Sequence, residues 1–238
     1  MQAANVLRQV SGVLQDLEPG MEKRWPWTGG QSDSIGLLDF LNAALRDVAM
    51  QRPDCFAVTE IIQLEQGMKQ QIPKVSVHGS TYDAIGFCGL IRNEGNKNGT
   101  KPGRAILLSP QSAIMAWQDP DNSRLLKRSG KVDNYAYDRA VNPKVYWVYP
   151  SVPDARLYVE ATYYAMPPEI TSSTQNIGVS DGYSQAIVHH MLASIFGGDS
   201  EDSNSTRSKY HWDWYQQLMN IKLQVDAKMP KAFTSSGG

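Results

Sequence analysis

The sequence predicts an α+β protein, a discontinuous helical bundle from the N- and C-terminal segments with a mostly β insertion between them. Three observations predict it. Apolar residues recur at helical spacing near both ends of the chain. Between them the period falls to two, in β-branched and aromatic runs bounded by glycines and prolines. The terminal helices each carry an apolar face that needs a partner, and the opposite terminus supplies the best candidate. The expected divisions are residues 1–56 plus 178–229 for the bundle, 57–177 for the insertion and 230–238 for a flexible tail.

Val6, Val10, Val13, Leu14 and Leu17 make an amphipathic first helix, ended by Pro19-Gly20. Trp25 and Trp27 flank a proline and are expected to pack as anchors over a helix junction. Ser32 or Ser34 caps the second helix, with Asp33 in its first turn. Leu37, Leu38, Leu41, Leu45 and Val48 form its apolar face. Asn42 lies beside that face, a position for a hydrogen bond to a neighbouring element. Arg52-Pro53-Asp54 ends the helix.

From Phe56 the run FAVTEIIQL reads as a strand, and EQGMKQQIP as a turn into a second strand closed by Pro73. Residues 75–95 are β-like with interspersed glycines. Gly95, Gly99 and Gly103 punctuate a flexible basic loop bearing Lys97, Lys101 and Arg104. A short helix follows Ser109-Pro110. VDNYAYDRAVNPKVYWVYPSVP and ARLYVEATYYAMPP read as two strands. In the C-terminal part, Ile187, Val188, Met191, Leu192 and Ile195 mark one helix, stopped by Gly197 and Gly198. Ser203 or Ser205 caps the next, whose expected stripe is Tyr210, Trp214, Leu218, Ile221 and Val225.

The 238 residues carry a formal net charge of -1, which gives no global case for wrapping nucleic acid. No stretch approaches the roughly 20 apolar residues that span a bilayer, so no membrane partner is expected. Cys55 and Cys88 are too few for a disulfide framework, and free thiols are expected. His189 and His190 are adjacent and point about 100° apart on a helix, so they do not share a metal. No HExxH, CxxC or GxSxG occurs. Asp199, Glu201 and Asp202 form an acidic loop without EF-hand order. Gly99-Thr100-Lys101 inverts the end of a phosphate loop. Neither catalytic residues, nor a metal, nor a cofactor is expected.

Four segments, in order, carry a resemblance. They are SDSIGLLDFLNAALRDVAMQRPD, LEQGMKQQIP, the pair YDRAVNPKVYWVYPSVP and VEATYYAMPPEI, and the C-terminal helical pair with its Asp-x-Tyr start at Asp181. Together they span nearly the whole chain, which resembles the head-to-tail adaptor (connector) proteins of tailed bacteriophages, the tail tubular protein A-like group. Residues 75–104, long and glycine-rich, carry none of the matching segments, and His189-His190 stand where the family often has an aromatic residue. The resemblance implies a non-enzymatic virion protein at the head-tail junction, assembled in the host cytoplasm. It implies a dodecameric ring of identical copies that docks on the portal protein and prolongs the DNA channel. Genomic DNA would pass without sequence-specific binding, and the ring would be a platform for a tail nozzle or other tail proteins. Portal or subunit contacts are then expected at Tyr210, Trp212, Trp214, Tyr215, Lys228, Lys231 and Phe233, and a channel loop at Lys97, Lys101 and Arg104. The competing readings are a virion-associated hydrolase with a dispersed site at His78, Asp83 and the loop around Asp199, and a host- or glycan-binding module on the tyrosine-rich β region.

Overall fold

The computed structural model describes residues 1–15, 25–28, 35–77, 80–116, 129–153, 156–198 and 203–228. In chain order the elements are α1 (Ala3–Val13), α2 (Leu37–Gln51), β1 (Ala57–Leu64), β2 (Gly67–Gln71), β3 (Lys74–Val77), β4 (Ser80–Asp83), β5 (Gly86–Glu94), β6 (Pro102–Ala105), β7 (Leu107–Leu108), α3 (Gln111–Ala116), β8 (Asn134–Ala136), β9 (Val145–Val152), β10 (Leu157–Tyr164), α4 (Ser184–Gly197) and α5 (Ser205–Lys228). Helices and antiparallel or mixed sheets make the fold α+β. The chain forms two compact units, Met1–Val48 with Pro168–Gly238, and Ala49–Pro167.

The first unit is helical. In α1 the buried face is Ala3, Val6, Leu7 and Val10, while Val13 is exposed. In α2 all five expected apolar residues, Leu37, Leu38, Leu41, Leu45 and Val48, are buried. Each contributes about 1.5–3 kcal/mol of transfer free energy, an upper bound for a compact unfolded chain. Ser32, Asp33 and Ser34 lie outside the described residues. The first amide groups of α2 are met by chain further back. The Leu37 amide donates to the Pro26 carbonyl and the Leu38 amide to that of Trp27, both at 3.0 Å. The Trp25-Pro26-Trp27 segment therefore packs at a helix start, as expected. The Trp27 indole also donates to Ser11 at 3.0 Å, and Trp25 meets Phe40 edge-on. Asn42, buried, donates to the Ile170 carbonyl at 3.0 Å and accepts from its amide at 2.8 Å. This is the polar contact that its place beside the α2 stripe predicts.

The second unit holds the strands. One sheet runs in the order β1-β10-β5-β6 and another in the order β2-β9-β8-β7, with β3–β4 a separate hairpin. All the pairings are antiparallel except β7 with β8. The β1–β10 register runs from Ala57 opposite Tyr164 to Leu64 opposite Leu157. Period two is plain in β10, where Leu157, Val159, Ala161 and Tyr163 are buried and the residues between them are not. The segment from Val132 to Val152, read from sequence as one strand, is two. Asp138-Arg-Ala-Val-Asn-Pro143 interrupts it, and β8 then pairs back on β9. Proline and an Asp138 carboxylate that accepts from the Ala140 amide favour a turn over a continuous ladder.

The core of this unit is aromatic as well as aliphatic. Phe87 stacks on Tyr146 at 4.4 Å and meets Tyr135 and Tyr137 edge-on. Asn93, buried on β5, accepts from the Val132 amide at 2.8 Å and donates to the Val132 and Arg104 carbonyls at 2.7 and 3.0 Å. It ties the two sheets together through Val132, two residues before β8. The β1–β2 turn is closed by buried Gln70, which pairs with the Glu65 amide and carbonyl. Gly67 supplies the positive φ of 107° that the turn requires.

Candidate interaction surface

α4 and α5 position the residues that sequence singled out. α4 is buried around most of its circumference, through Ala186, Ile187, Val188, Met191, Leu192, Ala193, Ile195 and Phe196. It ends at Gly197, with Gly198 extended. A Cβ at Gly197 would lie 2.8 Å from the Ser208 hydroxyl oxygen, so glycine permits the close approach of α5. Ser208 donates to the Ala193 carbonyl at 2.8 Å. The cap of α5 is Asn204, not Ser203 or Ser205. Its side-chain oxygen accepts from the Arg207 amide at 3.0 Å, and its own amide donates to Phe196 at 2.8 Å. Ser205 to Ser208 belong to the helix. Asp199, Glu201 and Asp202 lie outside the described residues.

The inward face of α5 is not the expected stripe. His211, Tyr215 and Met219 are buried, at spacing i, i+4, i+8. Tyr210, Trp214 and Ile221 are exposed by 56%, 39% and 55%, and Leu218 is half-buried. The side chain of Val225 lies outside the described set. The two registers differ by one residue, about 100° of helix. Apolarity alone selects the wrong one, because the groups that enter are those with polar partners waiting. The Tyr215 hydroxyl donates to Asp47 of α2, and His211 Nδ1 lies 2.9 Å from His189 Nδ1 of α4. Tyr215, expected at an interface, is instead a core residue with no exposed surface.

The electrostatics follow from this enclosure. Burial pushes the Tyr215 phenol well above its ordinary range, and the hydrogen bond and charge of Asp47 push it further. Burial lowers His189, His190 and His211 below the ordinary histidine value. Asp47 opposes this at His190, whose Nε2 is 3.5 Å from the carboxylate, but burial wins. His189 and Arg207 add to the lowering at His211.

What α5 leaves outside is aromatic. Trp214 stacks on His189 at 6.0 Å and 23°, and Tyr210 meets Trp214 edge-on at 6.4 Å. Trp212, 43% exposed, leans on His190 and Tyr215 at 5.8 and 5.3 Å. Tyr210, Trp212 and Trp214 therefore stay at the surface but are braced from beneath. Rigid exposed aromatics of this kind are the side chains that dominate protein interfaces. Of the other expected contacts, the Lys228 side chain, Lys231 and Phe233 lie outside the described residues.

The basic loop is a hairpin closed by its own hydrogen bonds. The Gly95 amide donates to Lys101 at 2.8 Å, and Asn96 Oδ1 accepts from the Asn98 and Thr100 amides. Gly99 takes a φ of 67°. Lys97 and Lys101 are exposed near the tip. Arg104 stands on β6, with Asp133 at 3.8 Å from its guanidinium. The hydrolase candidates His78 and Asp199 lie outside the described residues, as does the Asp83 side chain. Among the described residues, no group of three or more His, Cys, Asp or Glu converges as metal ligands. No described helix is long and apolar enough to cross a membrane. Cys55 and Cys88 are not joined to each other in a disulfide.

The family model described as SU10 adaptor protein matches residues 1–234. No curated protein matches the chain significantly.

Proposed function

The chain belongs to the SU10 adaptor protein family, whose members are structural adaptors of bacteriophage virions, and on that premise we propose that it is a head-to-tail adaptor subunit. It docks on the portal as a ring of twelve copies, prolongs the channel for the genome and carries the tail proteins. The match across nearly the whole chain carries this reading.

The braced aromatic surface of α5 supports it. Tyr210, Trp212, Trp214 and Ile221 are exposed in the single chain, and a ring neighbour or the portal would cover them. The C-terminal residues 230–238, with Lys231 and Phe233, add a second portal contact. Lys97 and Lys101 at the hairpin tip suit a position facing DNA, and the net charge of -1 suits a channel through which DNA slides.

Size-exclusion chromatography with light scattering tests the proposal. The isolated chain is expected to run mainly as a monomer, and to co-elute with purified portal as rings visible by negative stain. Absence of co-elution and of rings would refute it.

A further inference from the structure

His189 Nδ1 lies 2.9 Å from His211 Nδ1, and the ring centres are 5.0 Å apart. The two nitrogens therefore face each other nearly along the line of centres. One must carry a proton and the other accept it. This fixes one imidazole as the Nδ1–H tautomer and its partner as the Nε2–H tautomer. One extra proton is tolerated, because it enters at the outer nitrogen of the donor ring. A second would have to take the accepting Nδ1. N–H would then face N–H, and two cations would stand in contact.

The opposed geometry suits a proton better than a metal. A zinc ion with Zn–N of about 2.0–2.1 Å and tetrahedral angles needs lone pairs that converge beside the line between the nitrogens. The surroundings also disfavour a second charge. Phe196 stacks on His211 and Trp214 on His189. Arg207 of α5 bears on His211 with a like charge. His190 of α4 turns to Asp47 of α2, so that carboxylate is engaged by His190 and Tyr215.

We propose that His189 and His211 form a single-proton latch between α4 and α5, which releases when both rings are protonated and so makes the aromatic surface of α5 pH-dependent. Only the last clause rests on the reading of that surface as a docking face. Trp214 and Tyr210 lean on the two latch rings, so their placement follows the latch.

The direction of the pH effect is fixed. The folded-state pKa of each ring is lowered by burial, and the unfolded value is about 6.5. Below about pH 6.5 the opened state binds more protons than the closed state. The latch is fully effective above that pH and weakens as pH falls towards the lowered folded values. Each withheld proton shifts the opening equilibrium by up to about tenfold per pH unit.

Hydrogen exchange on the full chain between pH 7 and pH 5, corrected for intrinsic rates, tests this. Protection of α5 should fall with pH, and His211→Phe, which keeps a ring against Phe196, should remove about one proton's share of the slope. An unchanged slope in that variant would overturn the latch. Nitrogen NMR of the wild-type histidines gives an independent reading, with one Nδ1–H and one Nε2–H neutral tautomer expected, and two Nε2–H tautomers contradicting it. Zinc-dependent protection of the wild type that disappears in His211→Phe would assign the pair to chelation and overturn the proton reading. These readouts need no portal. Portal binding that stays constant between pH 7 and pH 5, while α5 exchange shifts, would overturn the link to the docking surface alone.

Discussion

Truncating Tyr215 should destabilise the helical unit far more than truncating Tyr210, although the two tyrosines are five positions apart on one helix. Tyr215 has no exposed surface, and Tyr210 is 56% exposed. Removing a fully buried aromatic ring costs about 3–5 kcal/mol. The lost hydrogen bond to Asp47 adds about 1 kcal/mol, giving about 4–6 kcal/mol for Tyr215→Ala. Tyr215→Phe keeps the ring and loses only the hydroxyl. Asp47 is 34% exposed and regains water, so the cost falls to about 1 kcal/mol. Tyr210→Ala removes a ring that is less than half buried, and area bookkeeping gives about 1 kcal/mol. Urea unfolding followed by far-UV circular dichroism reads these differences as midpoint shifts. At a slope of about 2 kcal/mol per molar urea, Tyr215→Ala moves the midpoint by about 2–3 M and Tyr210→Ala by about 0.5 M. Equal shifts for the two alanine variants would refute the register assigned to α5.

In the strand unit, Asn93→Ala leaves both Val132 backbone groups and the Arg104 carbonyl without their amide partner. It should cost about 2–4 kcal/mol in urea unfolding, and a loss under about 0.5 kcal/mol would contradict the clamp. Deleting residues 230–238 should weaken portal binding about tenfold, or about 1.4 kcal/mol, with the thermal midpoint unchanged. Unaltered binding by that truncated chain would remove the tail from the interface.

The sequence was most legible where one physical rule decides the outcome. The α2 face from Leu37 to Val48 and the alternation of β10 follow from burial alone. Asn42 was readable as a bonding side chain because a polar residue beside an apolar stripe needs a partner. The register of α5 was not legible. Its bulkiest apolar residues lie one position away from the buried face, and the choice between faces depends on Asp47 and His189. Those partners lie 168 and 22 residues away in the chain, beyond any local pattern. The split between β8 and β9 was hidden by continuous tyrosine and valine content, although Asp138 and Pro143 were visible turn signals. The exposed aromatic surface was half legible. Tyr210, Trp212, Trp214 and Tyr215 are spread too widely for one stripe, but which of them faces inward required the packed structure.

The central claim is that the outer face of α5 is covered when the adaptor assembles. A photoreactive amino acid in place of Trp214 tests it most directly, since that position is exposed yet braced on His189. Irradiation of the variant mixed with purified portal should give an adduct to the portal or to a second copy of the chain, and none without portal. Ring formation on the portal with no adduct from position 214 would contradict the claim.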